Sequence, residues 1–395
     1  MQSANTPPVD SDYIINLRHE LHRFPELGFD LPRTLEIVRR ELENLHIPYT
    51  EKFGTSSLVA LINPDSPGFS IGIRADMDAL PLTEKTNLPF SSEHAGIMHA
   101  CGHDAHTAML LGTARALKQI EHDLTCKVVL IFQACEEGCA DGPGGAQRMV
   151  QDGLMDEVDM IIGLHVENWL EHGTVGVAQG PSMASAHSLH LEFFGKTAHA
   201  TLPQSGVNAL AMAVNTYTGI QNMMTTRLNP LDRFVLSVGQ LEAGRTDNVI
   251  PDYAHMRISL RTYEAELTSI IVQNVEKIAE NAAAEQGGQM RLTHRTLALP
   301  LINDNKIAAR VRAAAEKVVG GQRIVTMPAK LSSEDFSFYL EHKPGVFFRL
   351  GTRNEASGCV TLPHNNDFLI DESALAVGSQ VCVQFVIDNQ KGLSN

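Results

Sequence analysis

The sequence predicts an α/β protein, a mostly parallel sheet with packed helices, interrupted by an inserted α+β module with a ferredoxin-like plan. Three observations carry this prediction. Short apolar runs alternate with amphipathic helical stretches toward both ends of the chain. The middle third changes to longer, alternating strands around two long helices. No repeat, low-complexity tract or long linker separates these regions.

Ile14, Leu17 and Leu21 recur at helical spacing ahead of the breaker Phe24-Pro25-Glu26-Leu27-Gly28, and a second amphipathic helix spans 31–45. Short, largely apolar runs at 58–62, 71–75, 128–132 and 160–164 have the pattern of strands covered on both faces. Helices are predicted among them at 107–118 and 146–151. Strands at 188–194, 234–240 and 254–262 and helices at 209–225 and 265–285 run β-α-β-β-α and suggest a module of β-α-β-β-α-β plan. From Asp304 the helix-then-strand rhythm returns, ending in a helix near 373–387. The economical division is one domain of residues 1–185 and 296–395, with residues 186–295 inserted as the other.

Composition narrows the function. With 31 basic and 46 acidic side chains among 395 residues, the formal charge of -15 repels nucleic-acid phosphates and anionic membranes. No apolar run reaches the ~18 residues of a membrane span, and the polar, proline-containing start lacks the pattern of a secretory leader. Six cysteines without a repeating framework read as reduced thiols, so the expected location is the cytoplasm and one thiol is available to a metal.

Polar clusters mark the expected site. Asp76-Met77-Asp78, Glu136-Glu137 and His165 each follow a predicted strand, and open α/β sheets bind ligands at the carboxyl ends of strands. The richest segment is His99-Ala100-Cys101-Gly102-His103-Asp104-Ala105-His106, where Cys101 and His103 place a thiolate and an imidazole on either side of a glycine. His106 shares a helical face with His103, which makes it an alternative ligand or a residue that orients the ligands. One glutamate of the 136–137 pair can hold a metal while its neighbour handles the proton. His364 lies in the turn-like Leu362-Pro363-His364-Asn365-Asn366-Asp367, and His199 is a candidate donor to an oxyanion.

These segments resemble the co-catalytic metallopeptidase and aminoacylase superfamily, specifically the amidohydrolase branch of hippurate and indoleacetyl-amino-acid hydrolases. The resemblance runs in order through His22-Arg23-Phe24-Pro25-Glu26-Leu27-Gly28, Arg74-Ala75-Asp76-Met77-Asp78-Ala79-Leu80-Pro81, residues 99–112 and Phe132-Gln133-Ala134-Cys135-Glu136-Glu137-Gly138. It continues through Gly163-Leu164-His165-Val166, Asn248-Val249-Ile250-Pro251, Ser333-Glu334-Asp335-Phe336 and Pro363-His364-Asn365.

What the resemblance implies is a metal-dependent hydrolase of N-acyl or N-aroyl amino acids, with the inserted module as a lid that makes a homodimer or higher homo-oligomer. It implies two divalent ions per subunit, zinc or manganese, with cobalt or nickel as further options. Cys101 would bridge the ions, His103 and His165 would complete one set of ligands, and Glu137 and His364 the other. Glu136 would be the general base and His199 a catalytic residue from the lid. Asn248 and Arg261 would hold the substrate carboxylate, an Arg fork suiting such a group. A dipeptidase, an N-succinyl amidase and a non-catalytic binding protein are the alternatives. The chain departs from the branch at Pro203-Gln204, at Asn208 and in Cys139-Ala140-Asp141-Gly142-Pro143, which bears on substrate choice.

Overall fold

A computed structural model describes residues 6–138 and 142–392. It contains two compact units, one of residues 1–182, 302–328 and 335–395 and one of residues 183–301 and 329–334.

In the first unit, α1 (Ser11–Arg23) and α2 (Pro32–Asn44) precede strands β1 (Tyr49–Thr50), β2 (Leu58–Ile62) and β3 (Ser70–Asp76). Then follow α3 (His103–Gln119), β4 (Lys127–Gln133), α4 (Gly145–Gln151), β5 (Met160–Glu171) and β6 (Val175–Val177). The eight-stranded sheet has the order β1, β2, β4, β3, β5, Gly345–Arg353, β6, Ile324–Thr326. Its centre is parallel, since β4, β3, β5 and Gly345–Arg353 all run the same way. β2 and β1 are added antiparallel at one side. Every residue of β3 is buried, Arg74 and Asp76 among them.

Helix α3 has almost no exposed face, because its residues pack between sheet and helices. Helix α2 owes its start to the motif before it: the Glu26 carboxylate accepts from the N–H groups of Arg33 (3.0 Å) and Thr34 (2.9 Å). A carboxylate there satisfies two otherwise orphaned donors and meets the positive end of the helix dipole.

The expected strand at 160–164 is longer than its apolar run. β5 continues to Glu171, so His165 lies within a strand rather than after one. The reason is pairing: Gly345–Arg353 stays in register beside it, with Arg349 opposite His165 and Leu350 opposite Val166.

The second unit has the predicted β-α-β-β-α-β order. Strands Ala186–Phe194, Phe234–Ala243, Tyr253–Thr262 and Gln289–Ala298 form an antiparallel sheet with helices Ala209–Thr226 and Ala265–Gln286. Leu189, Leu191, Phe193, Met212, Ile220, Met256, Ile258 and Ile271 make its core. Among the described residues no helix is long and apolar enough to cross a membrane.

Candidate metal centre

Parallel register aligns the carboxyl ends of three strands. Asp76 at the end of β3 lies opposite Gln133 of β4, and Arg74 lies opposite Gly163 of β5, two residues before His165. Backbone pairing therefore brings these strand ends to one edge of the sheet.

Cys101 and His103 reach that edge from the turn that opens α3. Gly102 between them has φ 87°, and a Cβ there would lie 2.4 Å from the Val166 side chain. Both conditions demand glycine.

The glutamate pair depends on a second turn. An extended continuation of β4 would send Glu136 and Glu137 to opposite faces. Instead Cys135 adopts φ 55°, a left-handed conformation costly for a residue with a Cβ. The Asp78 carboxylate holds this turn, accepting from the N–H groups of Glu136 (2.9 Å) and Glu137 (3.1 Å). Asp78 was legible only as part of an acidic cluster, and its role as a backbone clamp has no sequence signature.

Five of the predicted residues converge as two donor sets. Cys101, His103 and His165 form one and Cys101, Glu137 and His364 the other, with the donor atoms of each set within 4.8 Å of one another. The Cys101 Sγ belongs to both and lies 3.3 Å from His165 Nε2. His364 Nε2 is 3.3 Å from Glu137 Oε1. Glu136 belongs to the same cluster, its Oε2 lying 3.9 Å from His103 Nε2.

Hydrogen bonds settle which nitrogens are available. His165 Nδ1 donates to the Val166 carbonyl (2.5 Å), so in the neutral ring Nε2 carries the lone pair turned toward Cys101. Burial holds His165 well below the ordinary imidazole range, with His106 and Arg349 adding to the effect. His106 accepts the Val166 N–H at Nε2 (2.9 Å), leaving Nδ1–H to bond Asp76 (2.6 Å). Both its nitrogens are thus committed, which favours the orienting role over the ligand role. His103 is different: both nitrogens are buried and neither is committed to a close hydrogen bond, the Asp78 carboxylate lying 3.5 Å from Nδ1.

The electrostatics are those of a cation site. Burial pushes the Cys101 thiol well above its usual range, and Glu137, Glu136 and Asp76 push it further. Burial would lower His103, yet Asp76, Asp78 and Glu137 overcome it and raise the imidazole to about 10. Burial likewise opposes the charge on Asp76, but His103, Arg74 and His106 keep it well below the ordinary carboxylate range. Asp78, Glu136 and Glu137 gather about His103 beside the thiol, with no Arg or Lys in the two donor sets, and divalent ions would balance their charge. The residues present therefore fit two metal ions.

A buried polar layer supports the site. The Arg74 guanidinium donates to Gln133 (2.9 Å), Asp76 (2.6 Å) and Asp335 (2.8 Å), and the Asp335 carboxylate also accepts from the Gln133 amide and the Ala146 N–H. On the other side, Asp104 accepts from Arg18 (3.0 Å) and His22 (2.8 Å), both on α1. His99 is buried there, held neutral by a pKa lowered to about 3, and is not one of the converging donors.

His199, Asn248 and Arg261 belong to the second unit. His199 and Asn248 are neighbours: Val249 pairs with His199, and the Ala200 N–H donates to the Asn248 carbonyl (2.9 Å). His199 Nδ1 lies 3.2 Å from the Thr201 N–H and 2.8 Å from the Thr201 hydroxyl; where it accepts from both, the proton of the neutral ring is on Nε2. Arg261 donates to the Leu331 carbonyl (3.1 Å) and the Ser333 hydroxyl (3.2 Å) of its own unit. Asn208 caps the helix Ala209–Thr226 by accepting from the Ala211 N–H, a task aspartate performs equally well. Residues 139–141 of the unusual segment 139–143 lie outside the described residues.

The sequence pattern of peptidase family M20/M25/M40 matches residues 72–388. The chain is 36% identical to an N-acetyl-L-cysteine deacetylase of Bacillus subtilis over 93% of this chain and 85% of the relative. It is 32% identical to an IAA-amino acid hydrolase of Arabidopsis thaliana over 94% and 84% of the two chains. Among solved structures, a dinuclear metal-binding M20 peptidase of Bacillus subtilis superposes with a TM-score of 0.82 at 34% identity, covering 96% of this chain and 97% of the other.

Proposed function

Because the chain belongs to peptidase family M20/M25/M40, a family of hydrolases, we propose that it cleaves the amide bond of N-acyl amino acids with water activated at a two-metal centre. The observation that carries this reading is the sharing of one thiol, Cys101, by two donor sets. The relatives' names differ in the acyl part and agree on an amino acid, so the amino-acid half is the common substrate feature.

Cys101, His103 and His165 would hold one ion, and Cys101, Glu137 and His364 the other. When bound, the cations lower the pKa of water and polarise the scissile carbonyl. Glu136, beside both sets, takes the proton from the attacking water and delivers it to the departing amine. His199, through Nε2–H, donates to the oxyanion of the tetrahedral intermediate. Asn248, adjacent to His199, orients the substrate carboxylate, and Arg261 assists from the same unit. Thiolate and imidazole ligands favour zinc, while the carboxylate keeps manganese, cobalt and nickel open.

Two finer readings accompany this one. Leu210, Val214 and Tyr217 form an exposed apolar stripe on the helix Ala209–Thr226, which supports a homodimer through the second unit. Cys101, Cys126, Cys359 and Cys382 are buried thiols outside any disulfide, in keeping with a cytoplasmic protein.

Metal analysis and a substrate panel test the proposal. Purified protein should take up two divalent ions per chain and hydrolyse N-acetyl, N-benzoyl or indoleacetyl amino acids in preference to dipeptides and N-succinyl compounds. Cys101→Ser should weaken retention of both ions, since a neutral hydroxyl is a poorer bridge than a thiolate. Native stoichiometry and affinity in that variant would remove the bridging role, and preference for dipeptides would move the protein to the peptidase reading.

A further inference from the structure

We infer that Asn168 is a positioning residue that fastens the loop carrying His364 to the strand carrying His165. This rests on the reading that those two histidines serve different ions, and it deepens that reading by naming what keeps the two donor sets in step. Asn168 is three residues beyond His165 on β5 and has 0% exposure.

Its carboxamide is used in full. Nδ2 donates to the carbonyls of Thr361 (2.7 Å) and Leu369 (2.7 Å), and Oδ1 accepts from the Thr352 hydroxyl (2.6 Å). Carbonyls only accept and the hydroxyl donates, so these partners permit one orientation of the amide. Thr352 is itself fully buried on Gly345–Arg353, the strand beside β5.

The two carbonyls stand at either end of the His364 loop. Between them the backbone is irregular, with φ 66° at His364, and the imidazole is half-exposed. The loop has further tethers, from the His364 N–H to the Ala100 carbonyl (2.8 Å) and from the Lys85 N–H to the Asn366 carbonyl (2.7 Å). Asn168 grips both ends, and it does so from the strand that bears the other set's ligand. A ligand on a loop must be held to about 0.5 Å to bind well. One buried amide provides that constraint here.

The experiment begins with metal-free protein. In Asn168→Asp, which keeps the shape but puts an acceptor where two carbonyls need a donor, hydrogen exchange of residues 361–369 should accelerate at least about tenfold. Exchange in β4 should stay unchanged. In metal titrations the ion held by Glu137 and His364 should bind about 10- to 100-fold more weakly, with the other ion less affected. In a His364→Ala background the same change should add no further loss, because the loop then has no ligand to place. Additive losses would reduce Asn168 to a structural role, and unchanged loop exchange would overturn the inference outright. If Asn168→Asp does not fold, Thr352→Val decides: it keeps both tethers but frees the amide to turn, so loop exchange should rise less, and no rise would equally overturn the inference. A protein that binds no metal but shows the exchange effect would sink the metal reading and leave the tether standing.

Discussion

The two units bury different kinds of side chain. The first encloses Arg74, Asp76, Asp78, His103, Asp104, His106, Gln133 and Asp335, each nearly inaccessible and most in direct polar contact with one another. The second has an apolar core of leucine, isoleucine, methionine and phenylalanine, and its candidate residues His199 and Asn248 are exposed. Burying charge is costly unless every group is paired, so the first unit gives up part of its interior to a network whose members fix one another. The second carries His199 and Asn248 on its surface, where they can change with little effect on stability. Asn208, one of the positions where the chain departs from the branch it resembles, still caps its helix.

This contrast can be broken or sharpened by experiment. The largest effect is expected from Glu136→Gln, which should lower kcat by about 10²- to 10⁴-fold with metal content unaltered, the scale of a lost general base. Steady-state kinetics beside metal analysis checks it, and substantial remaining turnover would take Glu136 out of the mechanism. Next comes Arg74→Met, which strands Asp76 and Asp335 without their shared cation. Denaturant unfolding should show a loss of about 3–5 kcal/mol, with hydrogen exchange in the second unit's core unaffected.

Smaller effects belong to the second unit. Asn208→Ala should cost about 1 kcal/mol, confined to that unit, while metal binding is unchanged. The last is a pH effect at His187, whose pKa burial, with help from His294, lowers to about 4. Its folded pKa lies below the unfolded value near 6.5, so the unfolded chain binds more protons between the two. That contribution to stability is complete above pH 6.5 and is lost as pH falls toward 4. Exchange rates in the strand Ala186–Phe194 should rise over this window, and His187→Asn should flatten the rise. An equal slope in both proteins would place the pH response elsewhere.

Much of the fold was legible because burial imposes a period on sequence. β2 coincides with its apolar run, and the two long helices of the second unit end within a residue of their predicted limits. β5 was cut short because its later residues are held by a neighbouring strand rather than by their own apolarity. Some of the polar support was also within reach: Arg18 and His22 follow Ile14 at intervals of four, in phase with the buried stripe of α1. Charged residues in phase with a core face signal a buried partner, here Asp104.

Residue types and their order determined the chemistry available to this protein: a thiol, imidazoles and paired carboxylates beside strand ends, in a chain of net charge -15. Tertiary structure alone decided their roles. That Asp78 clamps the glutamate turn, that His106 is committed to Asp76 and Val166, and that Asn168 spans the ends of the His364 loop all follow from hydrogen bonds between residues at least 30 positions apart. Such bonds are directional and local in space, so they leave no period in the sequence.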